Sequence, residues 1–325
     1  MPANTTASGC NEPRPRWRDE RKEALSRKGA LAACLHAYLH IDEGSQRLNA
    51  HTEAENYLLD FHRRIVSSTS IAFGAVPASL NGVVHASSYH ALASMLPLDD
   101  NALSVVDIGC GDGHLLGLLA AQKHRGLRLI GVDMSDGELD VARAVLPADI
   151  ALLRERAQDL SIATGSIDVV LSHMALMLMG DLEQVFSEIR RILRPSGLVA
   201  FIVGGKGLLE PVRHLYLNEL RPILREENIS LCLHNERTTS EEGWRTLLSP
   251  SFTDCRFADV DLRIDATPTE IWDSFLSTTY DVDLLSSEGQ EKLRKRTMAA
   301  LASHCDSNGK LRYGCGLRLV AARAR

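Results

Sequence analysis

The stretch Val105-Val106-Asp107-Ile108-Gly109-Cys110-Gly111-Asp112-Gly113-His114 decides the fold of this 325-residue chain. An apolar run typical of a buried strand ends in three alternate glycines, and a helical pattern follows. Glycines at such a turn let the backbone bend tightly and let a ligand approach without a Cβ in the way. Free N–H groups at the start of the helix favour an anionic ligand group. The stretch therefore predicts a strand, a ligand-binding turn and a helix.

Short apolar runs alternate with helical stretches through most of the remaining chain. Strands are predicted at about 103–108, 127–132, 149–153, 167–172 and 198–203, with helices near 113–123, 135–146 and 181–193. Further helices are predicted near 210–226, 268–277 and 287–303, with strands near 255–264 and 311–322. Because strands that alternate with helices form βαβ units, the pattern predicts an α/β protein with a parallel sheet.

The residues before this pattern are predicted to cover it. Residues 1–17 are interpreted as a disordered lead and residues 18–100 as a helical N-terminal cover. Within the cover, helices are predicted over 18–41, 53–66 and 88–95, with loops and short helical pieces over 67–88. Residues 101–325 form the predicted ligand-binding domain, with a substrate-side insertion at about 207–254.

A second carboxylate helps to identify the ligand. Asp133 ends the apolar run Leu129–Val132 and lies twenty residues after Gly113, where a carboxylate can accept both hydroxyls of a ribose. Dinucleotide enzymes use G-x-G-x-x-G, whereas the spacing here is G-x-G-x-G. Asp107 would also sit badly beside a pyrophosphate, but it suits a ligand with an amino group and a sulfonium. These departures favour S-adenosylmethionine (SAM) over a nicotinamide cofactor, and a tight turn without a ligand is the alternative.

Four motifs resemble, in order and spacing, those of class I SAM-dependent methyltransferases of the small-molecule type. Val105–Gly113 resembles the family's motif I, V-L-D-x-G-C-G-x-G, and Asp133 matches the acidic residue that ends its second strand. Ser166–Ser172 resembles the fourth strand, and Arg190–Leu198 resembles the phrase before the fifth. The resemblance covers about residues 103–205. It implies a Rossmann-like seven-stranded sheet with a reversed final hairpin and helices on both faces.

The same resemblance implies SAM as cofactor, S-adenosylhomocysteine (SAH) as product, and a set of binding residues. The three glycines would pass under the methionine part of SAM, Asp107 would help to hold its amino group, and Asp133 would bind the ribose. Met134 would pack on the face of the adenine, and Ala157 and Gln158 would lie along the edge of its ring. Arg156 stands where many relatives carry an aspartate. The full expected cofactor-binding set is Tyr89, Asp107, Gly109, Cys110, Gly111, Gly113, Asp133, Met134, Ala157, Gln158 and Ser172.

Candidate acceptor-side residues follow the fourth and fifth strands. His173 is the candidate catalytic residue, because a histidine there can line the site or act as a base near neutral pH. A histidine bonded to backbone in a loop is the alternative interpretation. Candidate substrate-binding residues are His90, Glu210, His214, Tyr216, Trp272 and Tyr280, each with a packing role as its alternative.

The predicted function is methyl transfer to a small metabolite in specialised metabolism. Ser172-His173-Met174-Ala175 replaces any Asn-Pro-Pro-Tyr-like amide-handling motif, which disfavours base or glutamine methylation. One candidate acceptor is a 2-oxo acid methylated at its β-carbon after His173 removes a proton. A cationic acceptor would also suit the acidic chain. The alternatives are an RNA or protein methyltransferase and a SAM-binding protein without catalysis.

Composition limits the partners. The net charge of −6 gives no support for a nucleic-acid or acidic-membrane surface. No apolar run reaches the roughly 18 residues of a membrane helix, and the N-terminus lacks a secretory signal. Seven scattered cysteines fit reduced thiols in a cytoplasmic protein. His36 and His40 lack further ligands at metal spacing, so no metal is predicted, and a homodimer is left open.

Overall fold

A nine-stranded mixed sheet forms the centre of the protein. The computed structural model describes residues 50–97, 102–122, 126–229, 233 and 235–325. The strands are β1 (Ala78–Leu80), β2 (Val83–His85), β3 (Leu103–Ile108), β4 (Leu127–Asp133), β5 (Ala151–Arg154), β6 (Ile167–His173), β7 (Leu193–Leu208), β8 (Phe252–Ala266) and β9 (Leu311–Ala324). Their order across the sheet is β2-β1-β8-β9-β7-β6-β3-β4-β5.

Seven of these strands form the predicted class I arrangement. Strands β5, β4, β3, β6 and β7 pair in parallel, and β9 runs antiparallel between β7 and β8. The reversed hairpin predicted from 255–264 and 311–322 is therefore confirmed. Ile108 pairs with Val132, and Asp133 pairs with Arg154. Because parallel strands end at one edge, the residues that follow β3, β4 and β6 lie close together.

Residues 67–88 contain the short helix Ser68–Phe73, in agreement with the expected short helical pieces, but the first two strands replace the predicted loops. They form a hairpin whose strand β1 pairs with β8 and so extends the sheet. The turn residues Asn81 and Gly82 have φ values of 50° and 80°. Two positive φ values are what a type I′ hairpin turn requires, and Asn-Gly is its strongest sequence signal. The described part of the predicted cover, residues 50–97, thus contains helices and a hairpin.

Helices pack on both faces of the sheet and over its carboxyl edge. They are α1 (Ala50–Arg64), α2 (Ser68–Phe73), α3 (Ser88–Ala93), α4 (His114–Ala121), α5 (Asp136–Val145), α6 (Leu182–Ile192), α7 (Val212–Glu226), α8 (Glu241–Leu248), α9 (Pro268–Ser274), α10 (Tyr280–Asp283) and α11 (Ser287–Ala302). The predicted lead 1–17 and helix 18–41 lie outside the described residues. The boundaries of the predicted domains stay predictions.

Helix α6 shows how the sequence specifies its own ends. The Asp181 carboxylate accepts a hydrogen bond from the Gln184 backbone N–H at 3.3 Å, which caps the first turn. The apolar positions recur at helical spacing and are all buried: Leu182, Val185, Phe186, Ile189 and Ile192. An amphipathic stripe of this width packs the helix against the sheet.

The predicted insertion contains α7, which the sequence predicted near 210–226, and also α8, which it did not predict. Trp244 on α8 is fully buried, and its ring lies 5.1 Å from that of Phe201 on β7 and 6.3 Å from that of Phe186 on α6. Burial of these large rings ties the insertion to the core. No helix among the described residues is long and apolar enough to cross a membrane.

Candidate active site

The glycine turn after β3 has the backbone geometry that its sequence predicts. Gly109, Gly111 and Gly113 have φ values of 71°, 52° and 77°. These left-handed conformations are costly for residues with a Cβ. The backbone N–H groups of Gly109 and Cys110 donate to the Val132 carbonyl at 2.8 and 3.0 Å, which fixes the turn against β4.

Asp133 at the end of β4 holds the same turn from the other side. One carboxylate oxygen accepts from the Gly111 N–H and the other from the Ser135 N–H, each at 2.9 Å. A carboxylate offers about four lone-pair positions, so both oxygens can accept further hydrogen bonds. Asp133 can therefore organise the turn and bind a diol at the same time.

Asp107 is the most unusual group in the site. The residue is buried, and its Oδ1 atom has no hydrogen-bond partner among the described residues. Burial, with repulsion from Asp133 and Asp112, raises the pKa of its carboxyl to about 8. A buried carboxyl without a partner is costly, and a cationic ligand group would compensate that cost.

A cavity opens at the carboxyl edge of the sheet. The structure brings eleven of the predicted residues into its lining: Tyr89, Asp107, Gly109, Cys110, Gly111, Asp133, Met134, Ala157, Gln158, His173 and Tyr280. They come from six separate segments of the chain, so the fold and not sequence proximity assembles them.

Two predicted cofactor-binding residues do not line the cavity. The Ser172 hydroxyl donates to the Ile108 carbonyl at 2.7 Å, so it joins β6 to the end of β3. A Cβ at Gly113 would lie 2.6 Å from the Leu146 side chain, so this glycine allows close packing of α4 and α5. Both residues support the turn from behind instead of facing the ligand space.

Five of the six predicted substrate-binding residues also lie outside the lining. Tyr216 and Trp272 are buried in the core, where the apolar area that they bury stabilises the fold. His90 bonds Ser87 through its ring at 2.8 Å, in the cap of α3. Glu210 lies just before α7 and His214 lies in its first turn. The Glu210 carboxylate accepts a hydrogen bond from the His214 backbone N–H. The position of the cavity therefore does not support a contact between these five residues and an acceptor.

Helix α1 and Tyr280 cover the cavity through a network that the sequence did not indicate. His62 on α1 bonds Glu138 at 3.0 Å through Nδ1 and the Tyr280 hydroxyl at 3.1 Å through Nε2. Glu138 also accepts from the Ser67 N–H. Burial raises the pKa of Glu138, while the hydrogen bond from His62 opposes this shift. Nearby, the Ser70 hydroxyl donates to Asp112 in the glycine turn at 2.6 Å.

His173 lies at the end of β6 with its ring held on several sides. Its Nε2 atom bonds the Ser88 hydroxyl at 2.9 Å, and its ring stacks on Tyr89 with a centroid distance of 3.7 Å. Phe73 meets it edge-on at 5.6 Å. Burial, and to a smaller extent the nearby His114, lowers the pKa of His173 well below its usual value. The imidazole is therefore neutral at pH 7.

No group of three or more histidine, cysteine, aspartate or glutamate side chains suited to a metal ion occurs in the part of the chain that the structure describes. His36 and His40, the pair considered from sequence, lie outside that part.

Comparison with known proteins places residues 106–201 in the methyltransferase domain family. A malonyl-[acyl-carrier protein] O-methyltransferase of Methylovorus sp. is 35% identical over 133 residues, which are 38% of this chain and 42% of that protein. A demethylmenaquinone methyltransferase of Symbiobacterium thermophilum is 35% identical over 98 residues, which are 29% of this chain and 39% of that protein. The chain thus spans less than half the length of either relative.

A solved structure agrees with the fold over a larger part of the chain. It is that of a putative methyltransferase from an antibiotic biosynthesis pathway of Anabaena variabilis. The two superpose with a TM-score of 0.53 at 19% identity and cover 72% of this chain and 96% of that one. At this identity the likeness supports the fold alone.

Proposed function

We propose that this chain, whose residues 106–201 form a class I methyltransferase domain, transfers the methyl group of SAM to a small-molecule acceptor. The observation that carries the proposal is the buried Asp107 carboxyl, whose Oδ1 has no partner among the described residues and which lines the cavity beside the glycine turn. SAM carries a protonated amino group and a sulfonium, and either charge compensates a buried carboxylate.

The remaining contacts fit the other parts of SAM. A Cβ at Gly111 would face open space, with the Glu138 carboxylate as its nearest neighbour at 3.8 Å, so the turn leaves room for a ligand. Asp133 offers lone pairs to the ribose hydroxyls, and Met134 offers a thioether to the adenine ring. When bound, SAM supplies a methyl group already activated by the sulfonium leaving group.

Ala157 and Gln158 are assigned to contact the edge of the adenine ring. The Gln158 amide nitrogen donates to the Gly180 carbonyl at 2.6 Å, which orients the side chain and leaves its oxygen as a candidate acceptor for the adenine amino group. Arg156, which replaces the aspartate of many relatives, pairs with Glu55 on α1 at 2.5 Å. This pair links the adenine side of the cavity to the covering helix.

A small acceptor fits the cavity better than a macromolecule. Helices α1 and α2 cover the carboxyl edge, and Arg156 is the single arginine in the described lining, which contains no lysine. An RNA-binding surface would show a cluster of both. The 2-oxo acid hypothesis requires cationic side chains around the acceptor carboxylate, and the described lining supplies none that is free of a carboxylate partner.

The named relatives support methyl transfer without choosing the acceptor. One is named for a malonyl-carrier protein and the other for demethylmenaquinone, which are chemically unrelated. A place in specialised metabolism, a cytoplasmic location and a homodimer all stay predictions.

The proposal is tested by following a labelled methyl group. The chain is incubated with SAM labelled at the methyl carbon and with a fractionated cell extract, and Asp133→Ala serves as the control. We expect label in the small-molecule fraction, and none with the variant. Label confined to RNA or protein would support the macromolecular alternative, and SAH binding without any transfer would support the non-catalytic one.

A further inference from the structure

The acceptor half of the cavity can be separated from the half assigned to SAM. His173, Met174, Leu178, Met179 and Tyr280 line the cavity outside the segments proposed to hold the cofactor, and we call them the acceptor face. This face is aromatic and thioether-rich. Such side chains pack well against an apolar, aromatic body. The role of this face in holding an acceptor rests on the proposed function.

The charges of the described lining disfavour an anionic acceptor. The one guanidinium among the described lining residues, on Arg156, is paired with Glu55 and follows Glu155 on the adenine side. Asp107, Asp112 and Glu138 place carboxyl groups in the same cavity. A carboxylate or phosphate acceptor would lose its hydration without gaining a counter-charge among the described residues, which is strongly unfavourable.

The described lining also lacks a carboxylate that is available to a cationic acceptor. Asp112 accepts from Ser70, Glu138 accepts from Ser67 and bonds His62, and Glu155 accepts from Ser161. Glu55 pairs with Arg156, while Asp133 and Asp107 are assigned to the ribose and the amino group of SAM, so each carboxylate of the described lining already has a partner. An ammonium acceptor would therefore find no carboxylate that needs it.

One polar atom of the acceptor face remains without a partner. His173 Nδ1 is buried and has no hydrogen-bond partner among the described residues. Its ring cannot turn away, because Ser88 holds Nε2 and Tyr89 stacks on its face. In the tautomer whose Nε2–H donates to the Ser88 oxygen, Nδ1 carries a free lone pair, and this is the tautomer that the inference requires. A group that donates one hydrogen bond would satisfy it.

We propose that the acceptor is an uncharged hydroxyl compound with an apolar, aromatic body, and that its hydroxyl donates to His173 Nδ1. In the transfer, the hydroxyl oxygen forms a bond to the methyl carbon while the carbon–sulfur bond breaks and sulfur keeps its electron pair. The hydroxyl proton moves to Nδ1 and later passes to solvent. An oxygen that is being methylated becomes strongly acidic, so even a weak, neutral base can take its proton.

Binding to the SAH-loaded chain tests the acceptor class directly. Phenol and benzoate are matched in size and differ in charge, and ¹⁵N-labelled histidine reports on the ring nitrogens. The signal of His173 is assigned as the one lost in His173→Gln. We expect phenol to shift that signal and to bind at least about tenfold more tightly than benzoate. Benzoate binding as tight as that of phenol, or phenol binding without a shift, would overturn the inference.

The two halves of the imidazole can be tested separately. His173→Gln keeps a polar atom near Nε2 for Ser88 but removes Nδ1. For a phenolic acceptor it should lower kcat by about 100-fold or more while SAH affinity is unchanged. The loss should shrink as the acceptor hydroxyl becomes more acidic, a trend that a purely structural defect would not produce. A uniform loss across acceptors would contradict the inference. Failure of SAH to bind the intact chain would overturn the proposed function and this inference with it.

Discussion

Cofactor binding should release a proton from Asp107. In the free protein, burial and the neighbouring carboxylates Asp133 and Asp112 raise the pKa of this carboxyl to about 8. A protonated amino group prefers the ionised carboxylate, so binding lowers that pKa and expels the proton. Binding therefore strengthens as pH rises towards 8.

The size of the effect depends on the same pKa. With a pKa of about 8, about 0.9 of the Asp107 side chains are protonated at pH 7, so ligand binding should release about 0.9 proton. Between pH 6 and pH 7 the dissociation constant should fall by about ninefold, which corresponds to about 1.3 kcal/mol. The ligand amino group stays mostly protonated over this range.

Calorimetry in buffers of different ionisation enthalpy measures the released proton. SAH is the test ligand, and 5′-methylthioadenosine, which lacks the amino acid part, is the control. Asp107→Asn has an amide that does not titrate, so both the proton release and the pH dependence should disappear. If the original chain binds SAH at pH 7 without proton release, or if Asp107→Asn releases as much, the assignment of Asp107 to the amino group is refuted.

Three further predictions concern stability, the turn and the covering helix. The pKa of Asp107 is higher in the folded than in the unfolded chain, so its ionisation destabilises the free protein as pH rises. Relative to the original chain, the free energy of unfolding of Asp107→Asn should therefore increase by about 2.5 kcal/mol between pH 5 and pH 7. Denaturant unfolding measures this difference, and a difference that does not change with pH would contradict the pKa shift. Gly111→Ala should cost about 1–2 kcal/mol for its left-handed φ and also weaken SAH binding, since its Cβ enters the ligand space; normal SAH affinity by calorimetry would argue against that space. Glu138→Gln weakens the contact with His62, so hydrogen exchange in Ala50–Arg64 should accelerate while exchange in Leu182–Ile192 stays the same; equal exchange in both would show that the contact does not hold α1.

Local sequence signals were sufficient for the parallel half of the sheet and for the glycine turn. Alternate glycines, a strand-ending Asp133 and the stripe of α6 each express a conformational requirement within a few neighbouring residues. The Asn81-Gly82 turn carried an equally local signal, and it was misread as a loop because the flanking strands have only three residues each.

The cover of the cavity could not be predicted in the same way. His62 contacts Glu138 and Tyr280, which are 76 and 218 residues away in sequence. No periodic pattern connects such residues, because tertiary packing alone brings them together. Tyr216 and Trp272 were predicted to line the acceptor site, because they are aromatic residues that follow the parallel strands. The structure buries both in the core, where they stabilise the fold more than they would as half-exposed side chains of a cavity.

Everything proposed here for the chain depends on SAM binding at the edge formed by Asp107, the glycine turn and Asp133. Calorimetric titration of the purified chain with SAM and SAH, beside Asp133→Ala, tests it most directly. We expect saturable one-to-one binding of both ligands by the original chain and a large loss of affinity in the variant, which lacks the ribose acceptor and the hydrogen bond from Gly111. Absence of binding by the original chain, or equal binding by the variant, would contradict it.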